Sequence, residues 1–231
     1  MQKPGALKPS GPSNLVLRVV AALVLAPLAI LIAWLGGYWW IALCIVAGIG
    51  LLVEWIGITG KRPLWLTAGL IYAAAPALSA IALRLDATHG LWALLFVLTI
   101  VWASDILGYV CGRMIGGPKL WPRVSPKKTW AGAIGGLAGA VLIGLCFAWL
   151  GYRAWPLAWL AGALAIAAQA GDLFESAIKR HFNVKDSSQI IPGHGGIMDR
   201  LDAFVFAATL AALFGFIRSG GSSAAAGLIV W

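Results

Sequence analysis

Between Gly171 and Asp202 the chain reads GDLFESAIKRHFNVKDSSQIIPGHGGIMDRLD. Five of the protein's eight carboxylates, Asp172, Glu175, Asp186, Asp199 and Asp202, lie in this stretch, beside Lys179, Arg180, Lys185, His194 and Arg200. On both sides the sequence is almost wholly apolar. Ionised groups at membrane depth are costly unless paired or solvated, so a concentration of this kind marks a site. It also marks the junction between two apolar runs, and those runs decide the fold.

Working outward, the 231 residues are 61% apolar and 11% charged, with thirteen Trp and a mean hydropathy of +0.90. That balance excludes an ordinary soluble domain and predicts an all-α, polytopic integral membrane bundle. A bilayer core demands about 20 apolar residues per helix. Segments of that length are expected at 14–35, 38–58, 64–84, 90–111, 131–151, 155–178 and 199–217, which makes seven spans. Residues 1–13, rich in Pro, Gly, Ser and Lys, read as a disordered tail. The run that follows is too long for a signal-peptide core and reads as a retained span. Residues 14–231 are expected to form one transmembrane catalytic domain, with its catalytic half at about 100–217.

Orientation follows from the basic residues, which collect in cytoplasmic loops. With the N-terminus inside, fourteen Lys and Arg fall on inner segments and only Arg84, Arg153 and Arg218 on outer ones. The expected location is the bacterial inner membrane, multi-pass, with connections 112–130 and 179–198 facing the cytoplasm. The net charge of +9 therefore suits anionic headgroups, and nucleic-acid binding is not expected. Aromatic residues near span ends, among them Trp34, Tyr38, Trp40, Trp55, Trp65 and Trp149, read as interfacial anchors. Cys44, Cys111 and Cys146 show no metal or disulfide spacing and read as small core residues. Gly132, Gly135, Gly136, Gly139 and Gly144 form a small-residue surface for close packing on a neighbouring helix or on a second subunit.

Hard divalent cations want oxygen ligands, and Mg²⁺ in phosphate chemistry is held by one or two carboxylates plus the phosphates themselves. Asp172 and Asp199, at the facing ends of adjacent spans, are the expected metal ligands, close enough to share a cation. Asp172, Ser176, Lys179 and Arg180 share one helix face, and Asp199 and Asp202 are i, i+3 neighbours. For Glu175 and Asp186, structural ion pairing is as good a reading as a functional one. Asp105 lies in an apolar run and needs a partner, for which Arg113 and Lys128 are candidates. In the turn Pro192-Gly193-His194-Gly195-Gly196, glycines admit an anion close to backbone N–H groups at a helix N-terminus. His194 can hydrogen-bond a phosphate, shuttle a proton, or cap the helix. Ser125-Pro126-Lys127-Lys128-Thr129, directly before the fifth span, reads as a triphosphate cradle or as a topology signal. Upstream, Tyr109, Gly112, Gly116 and Gly117 permit close backbone approach or helix packing. No P-loop, HExxH or GxSxG pattern occurs.

SAIKRHFNVKDSSQIIPGHGGIMDRLD, from Ser176 to Asp202, resembles the signature of the phosphatidate cytidylyltransferases (CDP-diacylglycerol synthases), of the form S-x-x-K-R-x4-K-D followed by H-G-G-x-x-D-R-x-D. The SPKKT block, with Asp105, Tyr109 and Gly112 before it, resembles the family's second block. The likeness covers roughly residues 100–217. It departs at Ala131, where many members carry Glu. The resemblance implies that Asp172 and Asp199 ligate Mg²⁺, with a second cation such as K⁺ sharing the site. It implies that Lys179, Arg180, Lys185 and Arg200 surround the phosphates, and that Ser125, Lys127, Lys128 and Thr129 hold CTP. Asp186, His194 and Asp202 complete the expected catalytic set, and Asp105, Tyr109, Ser176, Gly195 and Gly196 the expected nucleotide contacts. The implied partners are CTP, phosphatidate and bilayer lipids, with a homodimer as a candidate assembly and a lateral opening toward the inner leaflet. The alternatives are a related CTP-dependent lipid-phosphate transferase and an ion-coupled transporter. A transporter is disfavoured because these carboxylates lie at span ends, and the DG-x2-AR pattern of CDP-alcohol phosphotransferases is absent.

Overall fold

In hydrocarbon every backbone amide must find its partner within its own segment, so apolar runs of this length become helices. The computed structural model describes residues 27–152, 155–188 and 195–231. Residues 27–35 are helical and lead to α1 (Gly37–Thr59), α2 (Pro63–Leu85) and α3 (Gly90–Met114). A hairpin of β1 (Lys119–Trp121) and β2 (Ser125–Thr129) precedes α4 (Trp130–Phe147), α5 (Pro156–His181), α6 (Met198–Arg218) and the short α7 (Ala224–Ile229).

Among the described residues, six helices are long and apolar enough to cross a membrane. They match six of the seven expected spans within a few residues. The remaining one, 14–35, lies mostly outside the described residues, as do the tail 1–13, Arg153 and His194.

Local chemistry sets the boundaries. Pro63 and Pro156 open α2 and α5, where a missing N–H costs nothing. Asn183, at φ 57, turns the chain away from the end of α5. Arg84 donates through Nε to the Ala33 carbonyl (2.7 Å) and through a terminal nitrogen to that of Trp34 (2.9 Å), satisfying the end of the 27–35 helix.

Among the described residues the hairpin is the one departure from a helical bundle. Lys119 pairs with Thr129 and Trp121 with Ser125, and the short ribbon tolerates Pro126 because proline is confined to edge strands. SPKKT is thus an extended strand running into α4, and the Thr129 side chain accepts from the Gly132 N–H (3.1 Å) as the helix cap.

The glycine stripe of α4 packs within the chain, against α3. A β-carbon on Gly132 would lie 2.7 Å from the Gly108 carbonyl oxygen, and one on Gly136 would lie 2.7 Å from that of Ser104. Gly144 faces α5 in the same way, 2.6 Å from the Leu157 oxygen. The main apolar core joins α3, α4, α5, α6 and α7, and a second one joins α1, α2, α5 and α6 around Trp55 and Tyr72.

Three aromatic and thiol assignments change. Trp55 is 1% exposed and packs on Tyr72 with ring centroids 4.9 Å apart, and Trp40 is buried with its indole N–H on the Ala80 carbonyl (2.9 Å). Neither is an interfacial anchor, whereas Tyr38 and Trp149 are exposed as expected. Cys44 is buried, but Cys146 lies on the outside of the bundle.

A β-carbon at Gly136 meets backbone and must separate α3 from α4, whereas nothing lies within 4 Å of one at Gly57. Gly136→Ala is therefore expected to cost about 1–3 kcal/mol, and Gly57→Ala to add about 0.5–1 kcal/mol through helix propensity. Unfolding midpoints of the two purified variants in the same detergent should move in opposite directions.

Candidate functional site

The polar ends of the helices gather at one end of the bundle, around two networks on α5. The first borders a cavity of about 690 Å³ between the ends of α3 and α5, the hairpin and the start of α4. Left-handed Gly116 (φ 68) and Gly117 (φ 92) let the chain leave α3 and fold the hairpin back over it. The cavity's basic lining is Arg113, Lys119, Lys127 and Lys128, and its acidic lining is Asp105 and Asp172. Lys128 forms an ion pair with Asp172. At the base, the Gln169 amide donates to Ser104 Oγ (3.3 Å) and the Ala133 carbonyl (3.1 Å), tying α5 to α3 and α4. Arg113 donates to the Tyr109 hydroxyl at 2.7 Å. Asp202, from α6, lies within electrostatic reach of Asp172, Asp105 and Lys128.

The second network begins two turns further along α5. Lys179, 9% exposed, places its ammonium 2.6 Å from Glu175 Oε1 and 2.6 Å from Asp199 Oδ1. The other Asp199 oxygen accepts from Ser187 N (3.1 Å), Ser187 Oγ (2.9 Å) and Gly196 N (2.8 Å). A buried charge is tolerated only with such compensation.

A third feature lies across α5 from the first cavity. An apolar groove of about 620 Å³ runs between α2, α5 and α6, floored by Trp55, Tyr72 and Phe206. Its rim residues Ile71 and Leu213 are exposed, so it opens on the apolar flank of the bundle. Among the described residues the buried Tyr72 hydroxyl has no hydrogen-bond partner, and it lies within electrostatic reach of Glu175, Asp202 and Asp172.

The expected site residues divide accordingly. Asp105, Tyr109, Lys127, Lys128, Thr129 and Asp172 come together on the first cavity, with Asp202 close by and Ser125 at the far end of the same strand. Lys179, Asp199, Gly196 and Gly195 (φ 82) belong to the second network. Arg180 donates to the Val184 carbonyl (3.1 Å), closing the turn that carries exposed Lys185 and Asp186. Ser176 is half-buried on α5, and Arg200 is exposed on α6.

Each carboxylate of the expected chelating pair meets a lysine: Asp172 pairs with Lys128, and Asp199 with Lys179 of α5. Both Asp199 oxygens accept from protein donors, and Asp202, one turn along α6, lies within electrostatic reach of Asp172. Among the described residues no three His, Cys, Asp or Glu side chains converge as a ready-made metal cluster. Hard oxygen ligands of the kind Mg²⁺ takes are present in Asp172 and Asp105 on the cavity and in Asp199 and Asp202 at the start of α6.

One residue escaped the sequence reading. Glu54 of α1 is 2% exposed, and its carboxylate accepts four hydrogen bonds from Ser187, Ser188, Ile197 and Met198. Its signal was a carboxylate standing alone in an apolar run, which is a site by default.

Comparison with known proteins adds independent information. Residues 63–217 match the model of a family described as the Cytidylyltransferase family. The chain is 36% identical, over an alignment of 255 positions, to a phosphatidate cytidylyltransferase of Brucella abortus biovar 1 (strain 9-941), covering 89% of this chain and 94% of that protein. A phosphatidate cytidylyltransferase of Rickettsia bellii (strain RML369-C) is 37% identical, with 86% and 89% covered. One of Rickettsia felis (strain ATCC VR-1525 / URRWXCal2) is 35% identical, with 84% and 89% covered.

Removing the Lys179 ammonium leaves Glu175 and Asp199 facing each other unneutralised. Lys179→Met is expected to lose about 3–5 kcal/mol of stability, the usual cost of breaking a buried pair from one side. Denaturant unfolding of the purified protein measures the loss, and Lys179→Met combined with Glu175→Gln should recover part of it.

Proposed function

The chain belongs to the cytidylyltransferase family, and from that premise we infer that it transfers the cytidylyl group of CTP to phosphatidate, releasing pyrophosphate and leaving CDP-diacylglycerol in the membrane. The observation that carries the reading is the 690 Å³ cavity, where four basic side chains and two carboxylates meet at the ends of membrane helices. A triphosphate needs such charge, and a lipid phosphate must be reached at such a depth.

In the reaction, a phosphate oxygen of phosphatidate attacks the α-phosphorus of CTP. The bond from that phosphorus to the oxygen bridging to the β-phosphorus breaks, and pyrophosphate leaves in line. No strong general base is required, because a phosphate monoester, with its second pKa near about 6, already carries negative charge. The protein's work is positioning and charge neutralisation. Lys119, Lys127, Lys128 and Arg113 suit the triphosphate and the departing pyrophosphate, and the Lys128–Asp172 pair orients that lysine on the cavity wall. Mg²⁺, when bound, would supply further neutralisation of the phosphates, and the residues that would hold it are Asp172 and Asp199, with Asp105 on the cavity wall. Asp199 contributes from the second network, by holding Lys179.

The apolar groove on the other side of α5 suits the acyl chains of phosphatidate, which enter from the bilayer while CTP arrives from water. The Lys- and Arg-rich connections favour the cytoplasmic side of an inner membrane for the cavity. If two copies associate, the contact is not the α4 glycine stripe, whose partners are α3 and α5.

The test is incubation of the purified protein with CTP, Mg²⁺ and phosphatidate in mixed micelles, with separation of CDP-diacylglycerol and pyrophosphate. Asp172→Asn and Lys128→Met should each lower kcat/KM by about 10²-fold or more, as loss of preorganised charge does. Full turnover in folded Asp172→Asn would overturn the assignment. Ala75→Trp, which fills the groove, should raise KM for phosphatidate about tenfold and leave KM for CTP unchanged.

A further inference from the structure

Glu54 sits in α1, outside both motifs that carry the family resemblance and outside the residues matched by the family model. Its carboxylate is nevertheless the hub for two separate stretches of the 179–198 connection. Oε1 accepts from Ser188 Oγ (2.7 Å) and the Ile197 N–H (2.8 Å). Oε2 accepts from Ser187 Oγ (2.8 Å) and the Met198 N–H (2.8 Å). Each oxygen therefore takes one serine hydroxyl and one backbone amide, and the amides belong to the otherwise unsatisfied first turn of α6.

The arrangement demands a group that only accepts. A serine hydroxyl can rotate to donate elsewhere, but a backbone N–H cannot become an acceptor. Glutamine at position 54 would aim an NH₂ at one of the two backbone amides in either orientation of its side-chain amide. The neighbouring backbone is also built around the carboxylate: a β-carbon at Gly196 would collide with both Ser187 Oγ and Glu54 Oε2. Ser187 completes the link: its single hydroxyl proton lies between Glu54 Oε2 and Asp199 Oδ2 and serves one carboxylate at a time, while its N–H donates to Asp199, which holds Lys179.

We propose that Glu54 is a positioning residue for the cytidylyl transfer: from α1 it fixes the N-terminus of α6, which carries Asp202 toward the first cavity, and, through Ser187, the Asp199–Lys179 pair of the second network. Among the described residues its hydrogen bonds go to Ser187, Ser188, Ile197 and Met198, none of which lines the first cavity, so its expected effect is on the rate of the chemical step and not on CTP capture. The proposal rests on the transfer reaction inferred above, and wild-type protein in the same assay separates a failure of that reading from a failure of this one.

The experiment is single-turnover transfer from labelled CTP to phosphatidate in micelles, with wild type, Glu54→Gln and the double variant Ser187→Ala/Ser188→Ala. The amplitude counts competent molecules, and the rate constant reports how well each is aligned. Glu54→Gln is expected to slow the rate constant about tenfold or more, the scale of a small misplacement of catalytic groups, with KM for CTP within about threefold of wild type. The double variant, which keeps the carboxylate and removes two of its donors, is expected to show a smaller loss in the same direction. A purely structural role would lower amplitude and thermal stability while leaving the rate constant of the surviving molecules unchanged, and that result overturns the proposal. Should Glu54→Gln fail to fold, an unchanged rate constant in the double variant overturns it equally.

Discussion

An ionised side chain inside an apolar bundle must be neutralised from another element of the chain, and this constraint shapes the polar end of the protein. Along α5, Asp172, Glu175 and Lys179 occupy two successive turns. Asp172 is met by Lys128 from the hairpin, and Lys179 by Asp199 from α6. Neither pairing exists until α5 has docked on its neighbours. Folding the bundle and assembling the charged site are thus one event, since the undocked charges would be too costly to bury.

Close helix packing is the second condition. Glycines on α4 bring its backbone against α3, so that the start of α4 and the end of α3 become two walls of one cavity. A larger side chain at Gly132 or Gly136 would open that wedge at its base, beside the Gln169 amide that ties α5 in place. On the far side of α5 the walls are aromatic and aliphatic, and the groove there is open to the flank. One helix therefore separates a basic pocket from an apolar slot. That division suits a reaction whose two substrates come from different phases.

The spans of the chain were legible because membrane helices obey a single strong rule, and six of them stand where hydropathy placed them. The importance of the 171–202 stretch was legible for the same reason, since charge in an oily sequence is conspicuous. The strand character of SPKKT was not, because two lysines, a proline and two hydroxyls carry no periodic pattern, and the strand exists through its pairing with Lys119–Trp121. Trp55 was misread because an indole near a span end looks the same whether it faces headgroups or, as here, donates to the Trp65 carbonyl at 2.8 Å inside the bundle.

The sequence by itself determined where six long apolar helices run and that the charge is concentrated in the stretch joining the last two of them, because these depend on composition along the chain. Only the tertiary structure decided who meets whom: that Asp172 meets Lys128 and Asp199 meets Lys179, that the glycine stripe packs on α3, and that Glu54 reaches across some 140 positions to Ile197 and Met198. Such pairings depend on the relative rotation and depth of whole helices. Those are settled by packing and by the need to satisfy every buried donor and charge, for which no local pattern in the chain is a guide.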